Sequence, residues 1–131
     1  MVKAVIVSGY FNPVHKGHIE YFKFAKQNAD ILIVIVNNDH QREQKQSKEF
    51  MLEDERLKII QELRVVDLAY LSIDSDRTVK ETIALIHSEY KNKYILFFAN
   101  GGDQNNSSIP EKEICKQLGI KLIDGLGKKI Q

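Results

Sequence analysis

The sequence has a single cysteine, Cys115, and therefore cannot form a disulfide within the chain. This count is typical of proteins from a reducing compartment, and we expect Cys115 to be a small apolar residue on a helix. An excess of charge is missing as well, because 19 lysines and arginines face 18 aspartates and glutamates. The overall charge thus predicts no nucleic-acid partner and no membrane surface, and any recognition of phosphate must be local.

Long apolar stretches are also absent. The longest aliphatic run is ILIVIV, residues 31–36, whereas a helix that crosses a bilayer needs about 20 apolar residues. The first residues show one lysine, a brief apolar stretch and then polar residues, which is not the pattern of a signal peptide. We therefore expect a cytoplasmic protein.

What the chain does have is a regular alternation of two patterns over 131 residues, the length of one domain. Apolar runs rich in β-branched residues predict five buried strands, over 2–8, 31–36, 68–73, 94–99 and 120–123. Helical spacing or helix-boundary residues predict helices over 17–28 and 53–64, after a capping box of Thr78 and Glu81, and between Pro110 and Gly119. The alternation predicts an α/β, doubly wound domain with a five-stranded parallel sheet.

Residues 37–50 form the longest polar segment without an apolar pattern. Such segments in compact domains are often functional loops. We expect this loop to be mobile without ligand and to become ordered when a nucleotide binds.

Residues 9–18, GYFNPVHKGH, connect the first predicted strand to the first predicted helix. Ligands of open parallel sheets bind beyond the carboxyl ends of the strands, and a helix start attracts anions. Gly9 and Gly17 would allow close approach of a ligand to the backbone. His15 and His18 are three residues apart and can face the same side of the first turn. Their imidazoles could donate hydrogen bonds to phosphate oxygens during a displacement at phosphorus.

Two other interpretations of the histidines stay open at this point. They could bind zinc, although no nearby cysteine or histidine completes a set of three or four ligands. They could also be polar residues that cap the helix.

The pattern of Gly9, Phe11, His15, Gly17 and His18 resembles the signature of the cytidylyltransferase-like nucleotidyltransferases. The resemblance implies a Rossmann-like sheet and a reaction in which a substrate phosphate attacks the α-phosphate of a nucleoside triphosphate and releases pyrophosphate. Downstream, NGGD at 100–103 is similar to segments of the heptose-phosphate nucleotidyltransferases and the glycerol-phosphate cytidylyltransferases. The resemblance thus implies that this chain attaches a nucleotide to a small phosphorylated sugar, polyol or alcohol.

The resemblance also implies roles for individual residues. His15 and His18 would stabilise the transition state, Lys45 or Lys48 would hold phosphates, and Asp39 would contact the acceptor. The residues expected to bind the nucleotide are Gly9, Tyr10, Phe11, His15, Gly17, His18, Arg56, Gly102 and Asp103. Arg56 would support a phosphate. Magnesium (Mg²⁺) would accompany the triphosphate without a dedicated set of protein ligands, and the enzyme would form a homodimer.

The sequence departs from the family pattern in two places. Asn12 and Pro13 look closer to the adenylyltransferases of the superfamily than to the glycerol-phosphate cytidylyltransferases. The donor is therefore CTP or ATP, with transfer of CMP as the main expectation. Residues 124–131, DGLGKKIQ, lack the Ser/Thr-rich segment that usually follows the fifth strand, so we expect residues 1–131 to be a catalytic domain whose natural chain continues into such a helix.

A binding module of another functional class is the alternative to an enzyme. It would keep the nucleotide site without catalysing a reaction, and the missing terminal segment is its main support. Release of pyrophosphate would distinguish the two.

Overall fold

The computed structural model describes residues 1–27, 29–46, 48, 50–101 and 109–126. Strands and helices alternate along these residues. The strands are β1 (Val2–Gly9), β2 (Ile31–Val36), β3 (Leu68–Leu71), β4 (Tyr94–Gly101) and β5 (Lys121–Leu126). The helices are α1 (Lys16–Lys26), α2 (Asp39–Lys45), α3 (Glu53–Gln61), α4 (Lys80–Tyr90) and α5 (Lys112–Leu118).

The strands form one parallel sheet in the order β3-β2-β1-β4-β5. The chain moves outward from β1 to β3, then returns across the sheet to β4 on the other side of β1. The carboxyl ends of β1 and β4 are therefore neighbours at the point where the strand order reverses, which is where such sheets bind ligands. This arrangement confirms the predicted α/β, doubly wound, Rossmann-like fold.

Two apolar clusters cover the two faces of the sheet. Ala4 and Ile6 of β1 pack on one face with residues of α4 and α5, whereas Val5 and Val7 pack on the other face with Phe22 of α1 and with α3. Successive residues of a strand point to opposite faces, so a strand covered on both sides must be apolar throughout. This requirement explains the uninterrupted apolar runs of β1 and β2.

Residues 39–45 form a helix, so the expectation of a loop is wrong there, whereas mobility without ligand and ordering by a nucleotide stay predictions. Asn38 caps this helix: its side chain accepts from the N–H of Gln41, and the Gln41 side chain accepts from the N–H of Asn38. Gln41 is fully buried, and its Nε2 donates to the carbonyls of Asp76 (2.6 Å) and Thr78 (2.8 Å). A buried polar residue whose Nε2 bonds to distant backbone and whose Oε1 accepts at the helix start thus replaces the apolar stripe that the prediction required.

The predicted capping box of Thr78 and Glu81 is also wrong. The first turn of α4 is capped by Asp74, whose carboxylate accepts from the N–H groups of Glu81 (2.7 Å) and Thr82 (3.0 Å). The Thr78 hydroxyl donates instead to Asp76.

The remaining boundaries differ from the predicted ones by a few residues. α1 ends at Lys26, α3 at Gln61 and β3 at Leu71, whereas β4 extends to Gly101. α5 ends in Gly119, whose φ of 74° is the left-handed conformation that glycine adopts readily. Cys115 is buried on α5 as predicted, and burial, with the nearby Glu111, raises the pKa of its thiol to about 12.

Candidate functional site

The segment that leaves β1 folds back on itself. Phe11 has a φ of 54° and a nearly buried ring, which packs edge-on against the rings of His18 and Phe22. A Cβ at Gly9 would lie 2.8 Å from the Phe11 ring, closer than two carbon atoms can approach. From the sequence we expect Gly9 to admit a ligand; in the structure the group beside it is the chain's own Phe11. Gly9 and Phe11 therefore shape the wall under His18.

The two histidines cap helix α1 together. His15 is the N-cap residue, and its Nδ1 accepts from the N–H of Gly17 at 3.0 Å. In return, Nδ1 of His18 accepts from the N–H of His15 at 3.1 Å. The two rings stack with their centroids 3.9 Å apart and their planes inclined by 28°. The helix-capping interpretation of the histidines is thus confirmed.

Capping also decides which ring nitrogen carries the proton. A nitrogen that accepts from a backbone N–H has no hydrogen, so a neutral imidazole in this arrangement is protonated on Nε2. His15 and His18 therefore each present an Nε2–H donor at the start of α1. Phosphate recognition would use a different nitrogen of the same ring from capping, so the two roles are compatible.

The charge state of His18 follows from its surroundings. Burial, with a smaller contribution from His15, lowers the pKa of His18 from the ordinary 6.5 to about 4. His18 is consequently a neutral hydrogen-bond donor at neutral pH. It stands at the positive end of the helix dipole, where an anion is favoured.

The two candidate lysines occupy different positions. Lys45 lies in the last turn of α2, and its Nζ sits 4.3 Å from the centre of the Tyr10 ring, a distance typical of cation–π contacts. Tyr10 belongs to the same loop as the histidines. Lys48 is tied to this loop by its backbone, because its carbonyl accepts from Nδ2 of Asn12 at 2.8 Å.

Arg56 holds together the backbone segments around the site from the protein interior. Its side chain is fully buried, and its Nη1 donates to the carbonyls of Tyr10 and Asn37, both at 2.7 Å. Its Nε donates to the carbonyl of Met51 at 3.1 Å, and its Nη2 to Asp39 at 2.8 Å. The guanidinium thus joins three backbone segments around the site, and its expected contact with a phosphate stays a prediction.

Asp39, expected to contact the acceptor, links two helices. Besides Arg56, its carboxylate accepts from the N–H of Glu53 at 3.1 Å, while the Glu53 carboxylate accepts from the N–H of Asp39 at 2.8 Å. The first residues of α2 and α3 therefore cap each other. In this arrangement Asp39 acts on the wall of the site, and a role toward the acceptor stays a prediction.

A comparison with protein families decides the relationship. The model of the family described as cytidylyltransferase-like matches residues 6–121. This chain belongs to the cytidylyltransferase-like family. The family named from the signature at 9–18 is thereby confirmed, and the protein is a nucleotidyltransferase.

Individual relatives of this nucleotidyltransferase carry several names. A FAD synthase from Thermoplasma acidophilum is 29% identical over 136 residues, which cover 88% of this chain and 96% of that protein. A bifunctional protein HldE from Aliarcobacter butzleri is 29% identical over 126 residues, covering 94% of this chain but only 25% of that protein. A solved lipopolysaccharide core biosynthesis protein from Thermoplasma volcanium superimposes with a TM-score of 0.72 at 26% identity, covering 95% of this chain and 96% of that one.

Some residues expected in the nucleotidyltransferase site cannot be placed. Gly102, Asp103 and residues 127–131 lie outside the described part of the chain. Within the described ranges, no three histidine, cysteine, aspartate or glutamate side chains are grouped to hold a metal ion, so a zinc site at the histidines finds no support there. No described helix is long and apolar enough to span a membrane.

Sequence reasoning missed one residue of the site, Asn12. Its Oδ1 accepts from the N–H groups of Phe50 (3.0 Å) and Met51 (2.9 Å), in addition to the bond from its Nδ2 to the carbonyl of Lys48. The signal was present, because an asparagine before a proline inside the signature stood out as a departure. The sequence could not show which distant backbone the side chain would meet.

Proposed function

We propose that this nucleotidyltransferase transfers AMP from ATP to a small phosphorylated acceptor and releases pyrophosphate. The observation that carries the proposal is the pair of Nε2–H donors of His15 and His18 at the start of α1. The relative named FAD synthase favours ATP as the donor, because FAD contains an AMP unit joined to flavin mononucleotide (FMN). Transfer of CMP, the main expectation from the sequence, has no such support from the relatives, and the Asn12–Pro13 pair agrees with an adenylyltransferase.

The chemistry needs charge stabilisation more than proton transfer. An oxygen of the acceptor phosphate attacks the α-phosphorus of ATP, the bond to the oxygen that bridges the α- and β-phosphorus breaks, and pyrophosphate leaves. The attacking oxygen is already anionic and needs no base. The histidines are unsuited to act as a base, because each Nδ1 is bound to a backbone N–H and each Nε2 carries a hydrogen. Their donors would stabilise the charge that grows on the phosphate oxygens, and one such donor is worth on the order of 3 kcal/mol.

Lys45 is the better candidate for the triphosphate. Its ammonium lies against Tyr10, in the loop that carries the histidines, which places a positive charge beside that loop. We expect Lys45→Ala to raise the KM for ATP about tenfold and Lys48→Ala to change it less than twofold. The reverse order would assign the triphosphate to Lys48.

Magnesium fits this site as a companion of the nucleotide. Mg²⁺ commonly binds phosphate oxygens, water and only one or two carboxylates. Asp39 is engaged by Arg56 and by the Glu53 N–H, and the described residues hold no larger cluster of ligands. The ion would therefore be held mainly by the triphosphate, whose charge it neutralises.

The deciding experiment measures pyrophosphate release with ATP or CTP, each paired with FMN and with a panel of phosphorylated sugars and polyols. We expect release with ATP and at least one acceptor. Preference for CTP would contradict the proposed donor. Binding of ATP without release of pyrophosphate for any acceptor would favour a binding module.

His18→Ala supplies the matching test of the site. We expect a folded protein with turnover reduced at least tenfold, equivalent to about 1.4 kcal/mol of transition-state stabilisation. His87→Ala is the control, because His87 lies in the last turn of α4, at the opposite end of the sheet, and should keep wild-type turnover. Wild-type turnover in His18→Ala would contradict the assignment.

We also expect a homodimer, as the family resemblance implies. Phe22 and Phe24 point to different sides of α1, and Phe24 keeps 40% of its surface exposed while Phe22 is fully buried. An exposed aromatic ring on a helix beside the signature is a suitable contact for a second copy. Sedimentation at micromolar concentration should give twice the mass of the chain, and a monomer mass would contradict this expectation.

A further inference from the structure

The side chain of Asn12 uses both ends of its carboxamide on one backbone segment. Its Nδ2 donates to the carbonyl of Lys48 at 2.8 Å, and its Oδ1 accepts from the N–H groups of Phe50 and Met51 at 3.0 Å and 2.9 Å. Asn12 itself lies between Phe11 and the capping histidines. It therefore joins the loop of the histidines directly to the backbone that carries Lys48.

The same segment is held a second time from the interior. Arg56 donates to the carbonyl of Met51 through Nε and to the carbonyl of Tyr10 through Nη1. The buried guanidinium thus anchors the end of the segment near α3, whereas Asn12 bonds to the backbone of Lys48. The position of Lys48 relative to the histidines consequently depends on Asn12.

The chemistry of the position requires an amide. A carboxylate offers only acceptors and would face the Lys48 carbonyl with a negative charge, while a serine hydroxyl is too short to reach all three backbone groups. Asparagine supplies the one donor and the acceptor that these groups need.

We infer that Asn12 is a positioning residue that holds Lys48 for the phosphate of the acceptor. The inference rests on the proposed function, in which two anionic substrates must approach each other. Their mutual repulsion calls for a cation near each phosphate, and Lys45 is the cation proposed above for the triphosphate. Lys48 is exposed and fixed by its backbone to the histidine loop, so its ammonium can meet the second phosphate.

The first test is kinetic. Asn12→Ala should raise the KM for the acceptor, measured with FMN or with the member of the panel that reacts, at least fivefold, and change the KM for ATP less than twofold. Lys48→Ala should have the same effect. The double variant should be no worse than the more affected single variant, because residues that act through each other are not additive. Asn92→Ala, an exposed asparagine in the turn before β4, should behave as wild type.

The second test does not depend on activity. Amide hydrogen exchange at Phe50 and Met51 should become at least tenfold faster in Asn12→Ala, since both N–H groups lose their acceptor. Asn12→Ser serves in both tests if the alanine variant does not fold, which a thermal melt will show.

Three results would overturn the inference. They are unchanged exchange at Phe50 and Met51, an unchanged KM for the acceptor, and full additivity of the Asn12 and Lys48 substitutions, which would indicate a merely structural role. A wild-type chain that releases no pyrophosphate would overturn the proposed function itself, and this inference with it. An active wild-type chain with an unaffected variant would overturn this inference alone.

Discussion

At the scale of the residue, the two nitrogens of each imidazole in the signature have separate tasks. Nδ1 of His15 and of His18 accepts a hydrogen bond from a backbone N–H in the first turn of α1. The hydrogen of each neutral ring is therefore on Nε2, which can act as a donor. A substitution at either position therefore removes a cap and a donor together. Activity and stability must be measured side by side to separate the two losses.

The low pKa of His18 predicts how stability depends on pH. The folded pKa of about 4 lies below the ordinary 6.5, so the unfolded chain binds the proton more readily. The contribution of neutral His18 should be fully present above pH 6.5 and be lost as the pH falls toward 4. Urea unfolding at pH 7.5, 5.5 and 4.5 should show the difference between wild type and His18→Ala shrinking toward low pH. A difference that stays constant would contradict the assigned pKa.

At the scale of the element, α2, α3 and α4 each take a capping group from outside the helix. Asp39 and Glu53 cap each other's helices, and Asp74, which follows β3, caps α4. Asp74 is nearly buried and also accepts from the hydroxyl of Thr82. The local pattern of Thr78 and Glu81 predicted a capping box for α4. In the fold, the carboxylate of Asp74 accepts from the free N–H groups instead.

Substitutions at Asp74 and Thr78 should separate the observed cap from the predicted one. Asp74→Ala should lower the free energy of unfolding by roughly 2–4 kcal/mol, because it removes a cap and leaves the buried N–H groups of α4 unpaired. Thr78→Ala should cost less than about 1 kcal/mol, since the Thr78 side chain bonds only locally. Urea denaturation measures both, and a larger loss for Thr78→Ala would favour the predicted box.

At the scale of the whole molecule, the strand order brings the parts of the candidate site together. Because β1 and β4 are adjacent and parallel, their carboxyl ends lie at the same edge of the sheet, where α1 also begins. α2 and α3 add Lys45 and Arg56 from the side of β2. The site is therefore an assembly of segments that are distant in the sequence, and ligand binding should stabilise the entire fold.

Thermal unfolding measures this coupling. ATP with magnesium at about 100 times its Kd should add about 2.7 kcal/mol, which raises the Tm of a domain of this size by on the order of 10 °C. CTP at the same concentration should raise the Tm less. Lys45→Ala should reduce the shift caused by ATP, whereas Lys91→Ala, an exposed lysine at the end of α4, should leave it unchanged. An equal shift for both nucleotides would argue against discrimination of the base.

The sequence by itself was sufficient for the α/β alternation, for five strands within a few residues of their ends and for the family. Strands such as 31–36 are recognisable because burial on both faces demands apolar residues at every position. The signature at 9–18 is recognisable because its residues are close together in the chain.

Only the tertiary structure decided what several of these residues do. Polar residues of α2, among them Gln41, bond to distant backbone. Because this helix packs through polar residues, it has no apolar pattern from which it could be predicted. Arg56 and Asp39 have the residue types of a phosphate and acceptor site, yet they bond to the chain itself. The tasks of Asn12 and Asp74 likewise depend on which backbone lies opposite. The physical reason is that hydrophobic periodicity is a local property, whereas a hydrogen bond between distant segments exists only after the order and register of the strands have brought its two partners together.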